Sequence, residues 1–196
     1  MRYDSVELGR MRTEVTKKLF TVDDFYRMGD AGIFGPEERV ELIEGEIILM
    51  SPIGDRHQEC VDRANELFVL AFHGRARVRI QGPTRLSNIS EPLPDLLLLK
   101  PRSDYYGSGH PKPGDVFLVI EVAMTTLRFD MRVKLPMYAK YEIPEVWIED
   151  LPHNSLQIYR NPIAGKYTSN ATLHRGDSIS PSAFPETVFK INDLLG

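Results

Sequence analysis

Apolar and polar positions recur with different periods along the chain, and each period predicts an element. Val40-Glu41-Leu42-Ile43 and Glu46-Ile47-Ile48-Leu49-Met50 flank Glu44-Gly45, a tight β-hairpin with glycine in its turn. From about Arg56 to Phe72, the residues Val61, Ala64, Leu67, Phe68 and Ala71 fall at helical spacing, so one helix face points to a core. Arg75 to Gln81 alternates with period two, which places Arg75, Arg77 and Arg79 on one face of a strand. Two uninterrupted apolar runs follow, Leu96–Leu99 and Val116–Ile120, of the kind buried on both faces of a sheet. A helical stretch from about Thr126 to Tyr141, kinked or divided at Pro136, leads into a strand over Glu145–Asp150. Strand, helix, strand implies a right-handed crossover, so this last strand lies parallel to the one ending at Glu121. Short β elements near 156–159 and 167–168 cover one sheet edge. At the other end of the chain, Thr21 caps a helix with Asp24 completing a capping-box variant, and the helix stops near Gly29 or Gly32. Residues 1–18 read as a polar lead-in and 19–196 as a single domain.

Each buried run carries an acid. Asp95 precedes Leu96, and Glu121 follows Ile120. Antiparallel pairing with Leu99 opposite Phe117 sets Asp95 opposite Glu121 on one face, with Cβ atoms about 5 Å apart. Two carboxylates at about that distance repel by roughly 3 kcal/mol at an effective dielectric near 20. They must share a proton, meet a cation or bind a metal. Hard oxygen ligands of this kind suit Mg²⁺. Lys134 lies about 10 Å along its helix from Leu127, within reach of the acids. Its alternative is a surface ion pair with Asp130 at i, i+4. The arginine strip is either a solvated face or a phosphate-contacting one. His57 either satisfies local backbone groups or joins a site. Loop 101–114 joins the strand ends remote from the acids, which keeps His110 away from them.

Composition narrows the classes. With 196 residues, 42% hydrophobic and 27% charged, the chain is ordinary for a soluble globular domain. A net charge of −4 offers no global attraction for nucleic acid, so DNA binding requires a local basic surface. No apolar run approaches the roughly 20 residues of a membrane span and no signal-peptide core is present, so no membrane partner and a cytoplasmic location are expected. The single cysteine, Cys60, excludes an internal disulfide and falls on a helix, where burial is expected.

Taken in order, Glu41-Leu42-Ile43-Glu44-Gly45-Glu46-Ile47, Ser51-Pro52 with His57, Pro94-Asp95, Glu121-Val122, Asp130 with Lys134, Tyr138 and Glu145-Val146-Trp147-Ile148-Glu149-Asp150 resemble one family. It is the bacterial Uma-type restriction endonucleases of the restriction-endonuclease-like superfamily, whose signature is Pro-Asp…(Asp/Glu)-x-Lys. The resemblance covers roughly residues 20–160. It implies an α/β (α+β) fold: a central mixed β-sheet flanked by helices, with an N-terminal β-hairpin and extra C-terminal strands. It also implies Mg²⁺- or Mn²⁺-dependent hydrolysis of DNA phosphodiesters by a homodimer. Asp95 and Glu121 would be the metal ligands, Lys134 would stabilise charge on the phosphate, and Glu41 and His57 would complete the catalytic set. Arg75, Arg77 and Arg79 would contact the nucleic acid. Two positions depart from the pattern. Ala123 stands where the superfamily's lysine belongs, and Met124, whose thioether ligates Mg²⁺ poorly, stands where similar sequences carry a small polar or acidic residue. The competing reading is a non-catalytic nuclease-fold module that binds nucleic acid or a protein partner.

Overall fold

A computed structural model describes residues 16–196; the expected lead-in at 1–18 falls almost entirely outside the described residues. Helix α1 (Val22–Asp30) opens on the anticipated capping box. The Thr21 hydroxyl accepts from the Asp24 N–H, and the Asp24 carboxylate accepts from the Thr21 N–H. Strands β1 (Val40–Ile43) and β2 (Glu46–Leu49) form the hairpin, with Glu44 and Gly45 both at positive φ. That pair of φ values is what a two-residue turn needs to match strand twist. Helix α2 (Asp55–Phe72) follows.

The sheet has the order β3-β4-β5-β6-β7-β8. It comprises β3 (Arg77–Ile80), β4 (Leu96–Leu99), β5 (Val116–Ala123), β6 (Glu145–Asp150), β7 (Ser155–Ile163) and β8 (Lys166–His174). Only β5 and β6 pair in parallel, as the crossover rule requires. The four leucines of β4 divide between two cores. Leu96 and Leu98 pack with α2, Trp147 and the C-terminal helix α5 (Ile191–Leu195). Leu97 and Leu99 pack with Val119, Tyr138 and Ile148 on the opposite face. All four are at most 1% exposed, so truncating any one to alanine would cost about 2–5 kcal/mol.

Several expectations shift in detail. Pairing of β4 with β5 follows the anticipated register from Leu96↔Ile120 to Leu98↔Leu118, but a bulge sets Leu99 opposite Val116 instead of Phe117. Strand β5 runs on to Ala123, so Glu121 sits inside a strand rather than at its end. Strand β3 is shorter than expected and leaves Arg75 outside it. The C-terminal strands are longer: β7 and β8 form a hairpin of nine-residue strands.

The crossover helix departs most. It runs as α3 (Leu127–Phe129), a π-helical turn (Asp130–Lys134) and α4 (Leu135–Lys140). Pro136 is the physical cause. It has no N–H to give, and its ring crowds the carbonyl one turn back, so the widening falls in the turn before it. That wider turn carries Asp130 and Lys134 inward, each 4% exposed. A surface location for Lys134 is therefore excluded.

Candidate active site

The site lies where the hairpin, the start of α2, the β4–β5 pair and the π-turn meet. The hairpin supplies Glu41, whose neighbours Leu42 and Ile43 are buried anchors. The Glu41 carboxylate accepts from the Leu93 N–H at 3.1 Å and lies 3.3 Å from the Lys134 ammonium. Lys134 is also 3.3 Å from Glu121, on its inward side. The Tyr138 hydroxyl, one turn further along the helix, donates to Glu121 at 2.6 Å.

Asp95, next to the end of β4, is held from two other directions. Its carboxylate accepts from the Val122 N–H at 2.9 Å and is 3.2 Å from Nε2 of His57 in the first turn of α2. The second carboxylate oxygen has only a long contact, 3.5 Å, with the Gln81 amide. Asp130 is held by the Thr126 hydroxyl at 2.7 Å.

Charge is the dominant feature of this site. Glu41, Asp95, Glu121 and Asp130 are all buried, and all four act on the Lys134 ammonium, the one buried lysine among the described residues. Burial alone would discharge Lys134, but the four carboxylates outweigh it and hold the ammonium firmly charged. One cation cannot satisfy four anions. Burial therefore pushes the Glu121 carboxyl up to about 8 and that of Asp130 to about 6, against the pull of Lys134. Asp95 goes the other way. Burial opposes its ionisation, yet the His57 contact and the Val122 N–H hold its carboxyl below the usual range. Burial also raises Tyr138, which therefore remains a donor.

A cleft of about 440 Å³ opens onto this cluster, lined by Glu41, His57 and Asp95 together with Arg39, β2 residues and Met124–Phe129 residues. Among the described residues, no group of three or more His, Cys, Asp and Glu side chains is arranged to hold a metal by itself. A Mg²⁺ ion does not demand one, because it commonly keeps several waters and binds through one or two carboxylates plus a substrate phosphate.

A family model described as "Putative restriction endonuclease", Uma2, matches residues 22–192. The chain belongs to this family. No curated protein matches it. A crystal structure of "a putative nuclease belonging to DUF820" from Anabaena variabilis ATCC 29413 superposes with a TM-score of 0.69 at 16% identity, covering 90% of this chain and 97% of that one. At that identity the likeness establishes a common fold, and the fold is the mixed-sheet nuclease architecture expected from the motifs.

Five of the anticipated residues, Glu41, His57, Asp95, Glu121 and Lys134, thus come together within the Uma2 domain. The arginines do not join them. Arg77 pairs with Leu99 and Arg79 with Leu97, so the strip runs from the site toward loop 101–114. The Arg77 guanidinium lies over the Tyr105 ring at 4.1 Å and that of Arg79 over Tyr106 at 5.4 Å. Arg75 pairs with Glu186 and donates to Thr187. His110 contacts Tyr26, away from the acids.

Two site residues carried no role in the sequence reading. Tyr138 is four positions after Lys134, a spacing that puts both on one helix face. Glu149 on β6 is fully buried with neither carboxylate oxygen hydrogen-bonded, and burial, then the charge of Asp95, pushes it up to about 8. In sequence it hides among Glu145, Glu149 and Asp150, which look like the polar positions of an ordinary strand.

Proposed function

We propose that this chain is a divalent-metal-dependent endonuclease that hydrolyses DNA phosphodiesters, with Asp95 and Glu121 holding Mg²⁺ or Mn²⁺. The observation that carries this reading is the imbalance of four buried carboxylates around one ammonium, two of which, Glu41 and Asp95, line an open cleft. Hard oxygen donors with excess negative charge match a divalent cation, and a bound cation would favour the ionised form of Glu121 that burial now resists. When bound, such an ion polarises the phosphoryl oxygen and lowers the pKa of its water.

The protein's own groups have distinct tasks. Lys134, kept charged, stabilises negative charge that grows on the phosphate. Glu41 fixes the lysine head and is itself fixed by the Leu93 N–H. His57 and the Val122 N–H orient Asp95. Tyr138 aims Glu121 by donating to it. Ala123 is fully buried in the apolar core on the face that Glu121 shares, so a lysine there would have no room for its charge. The π-turn delivers Lys134 to Glu121 instead.

The proposal includes a cytoplasmic homodimer. No helix among the described residues is long and apolar enough to cross a membrane. Among the described residues strand β8 is an edge of the sheet that a second copy could extend, which sedimentation would test.

The experiment is paired. Mg²⁺ or Mn²⁺ at about a hundred times its dissociation constant should stabilise the wild type by about 2.7 kcal/mol and leave Asp95→Ala unmoved. The same proteins are then assayed for Mg²⁺-dependent nicking of supercoiled plasmid. Equal metal-induced shifts in both proteins would remove the metal from Asp95. Metal binding without cleavage of any DNA would favour the non-catalytic module.

A further inference from the structure

The walls of the cleft are a poor match for a paired duplex. Its apolar lining comes from Ile48 and Leu49 of β2 with Met50 just after it, and from Met124 just after β5 with Phe129 of α3. Leu49 is 64% and Met124 44% exposed, so these two side chains face solvent at the rim, while Ile48 and Phe129 are partly buried against the core behind them. Arg39 is the one arginine or lysine among the described lining residues. The arginines of the β3 region are engaged with Tyr105, Tyr106 and Glu186.

A regular duplex presents two rails of phosphate with its bases sequestered, and proteins that lie along it meet those rails with many cations. A single unstacked nucleotide presents two apolar base faces and one phosphate. Apolar walls, one guanidinium and a hydrolytic floor complement the second shape. Resting on the nuclease reading above, we propose that the cleft takes one unpaired nucleotide. Its base sits between the hairpin wall and Met124 with Phe129, and its phosphate meets Arg39 and the acidic floor. The preferred substrate class is then single-stranded, mismatched or extruded DNA rather than continuous duplex. Met124 is a wall of the site, not a failed ligand. Unpairing is least costly where the base is already unpaired, which makes the preference a matter of energy as well as shape.

The test uses the full chain and one oligodeoxynucleotide carrying 2-aminopurine. The strand is presented alone, in a perfect duplex and in a duplex with a central mismatch. Single-stranded and mismatched forms should bind at least about ten times more tightly than perfect duplex, with a change in 2-aminopurine emission at the bound position. A Leu49→Ser/Met124→Ser variant removes exposed apolar surface without adding charge. It should lose roughly ten- to a hundred-fold in single-strand affinity, the range expected when a base loses its stacking partner. Its affinity for perfect duplex should stay within about twofold.

Equal affinity for duplex and single strand, or unchanged single-strand binding by the variant, overturns the assignment of the cleft. Mg²⁺-dependent cleavage is read on the same three DNAs. Cleavage of perfect duplex at the single-strand rate keeps the nuclease reading and discards this inference. The predicted binding order without cleavage does the reverse. No binding to any of the DNAs discards both.

Discussion

Removing the Lys134 ammonium should damage this protein far more than its helical spacing suggests. If the side chain were a surface partner of Asp130 at i, i+4, Lys134→Met would cost well under about 1 kcal/mol. In the structure the ammonium is buried against Glu41 and Glu121, at 3.3 Å from each. Breaking a buried pair by deleting one partner commonly costs about 3–5 kcal/mol, because the orphaned charge stays desolvated. Glu121 can escape part of that by taking up a proton, so the lower end applies, about 3 kcal/mol. For a chain of this length that corresponds to a fall in Tm of roughly 6–12 °C.

The pH dependence follows from Glu121. Its carboxyl is raised from 4.5 to about 8 in the folded protein, so the folded state binds the extra proton across that interval. Stability contributed by such a group is present at low pH and falls as pH rises through the window. Without Lys134 the folded carboxyl is raised further, so the penalty should be larger at pH 8.5 than at pH 5, where Glu121 is protonated with or without the lysine and the loss of the Glu41 pair remains. Thermal denaturation followed by circular dichroism at both pH values measures this, with Lys134→Met/Glu121→Gln as the control. The second substitution removes the orphaned charge and should restore part of the lost stability. A loss below about 3 °C at pH 8.5, or equal losses at both pH values, refutes the argument. If the nuclease reading also holds, cleavage by Lys134→Met at a temperature where it is folded should drop by roughly 10²–10³.

Two further outcomes are expected. Glu149, raised from 4.5 to about 8 by burial and then by Asp95, makes stability fall as pH rises between those values. Glu149→Gln should therefore lessen the loss of Tm between pH 5 and 8.5 by a few degrees, and an unchanged pH profile would show that the carboxyl ionises freely. Replacing Arg75, Arg77 and Arg79 with glutamine should flatten the log–log salt dependence of duplex binding by about 0.9 for each arginine that contacts a phosphate. Because all three are engaged within the chain, the expected change is less than one contact's worth, and a drop near 2.7 would put the whole strip on the DNA.

Local chemistry was legible in the sequence wherever neighbours along the chain decide the outcome. The capping box at Thr21, the Glu44-Gly45 turn and the doubly buried run Leu96–Leu99 depend on backbone geometry and period, and each occurs where expected. The register that sets Leu96 opposite Ile120, each next to one of the two acids, also follows from strand pairing alone, since two continuous apolar runs leave little freedom there. Other features depend on what packs across the molecule. Whether Lys134 is a surface or a buried charge turns on a π-turn that Pro136 forces and the apolar face of the sheet fills. The arginine strip alternates correctly, but only the folded loop 101–114 brings tyrosines over it. Glu149 is indistinguishable from a solvated acid until α2 covers it, because desolvation is a property of the surroundings and not of the residue.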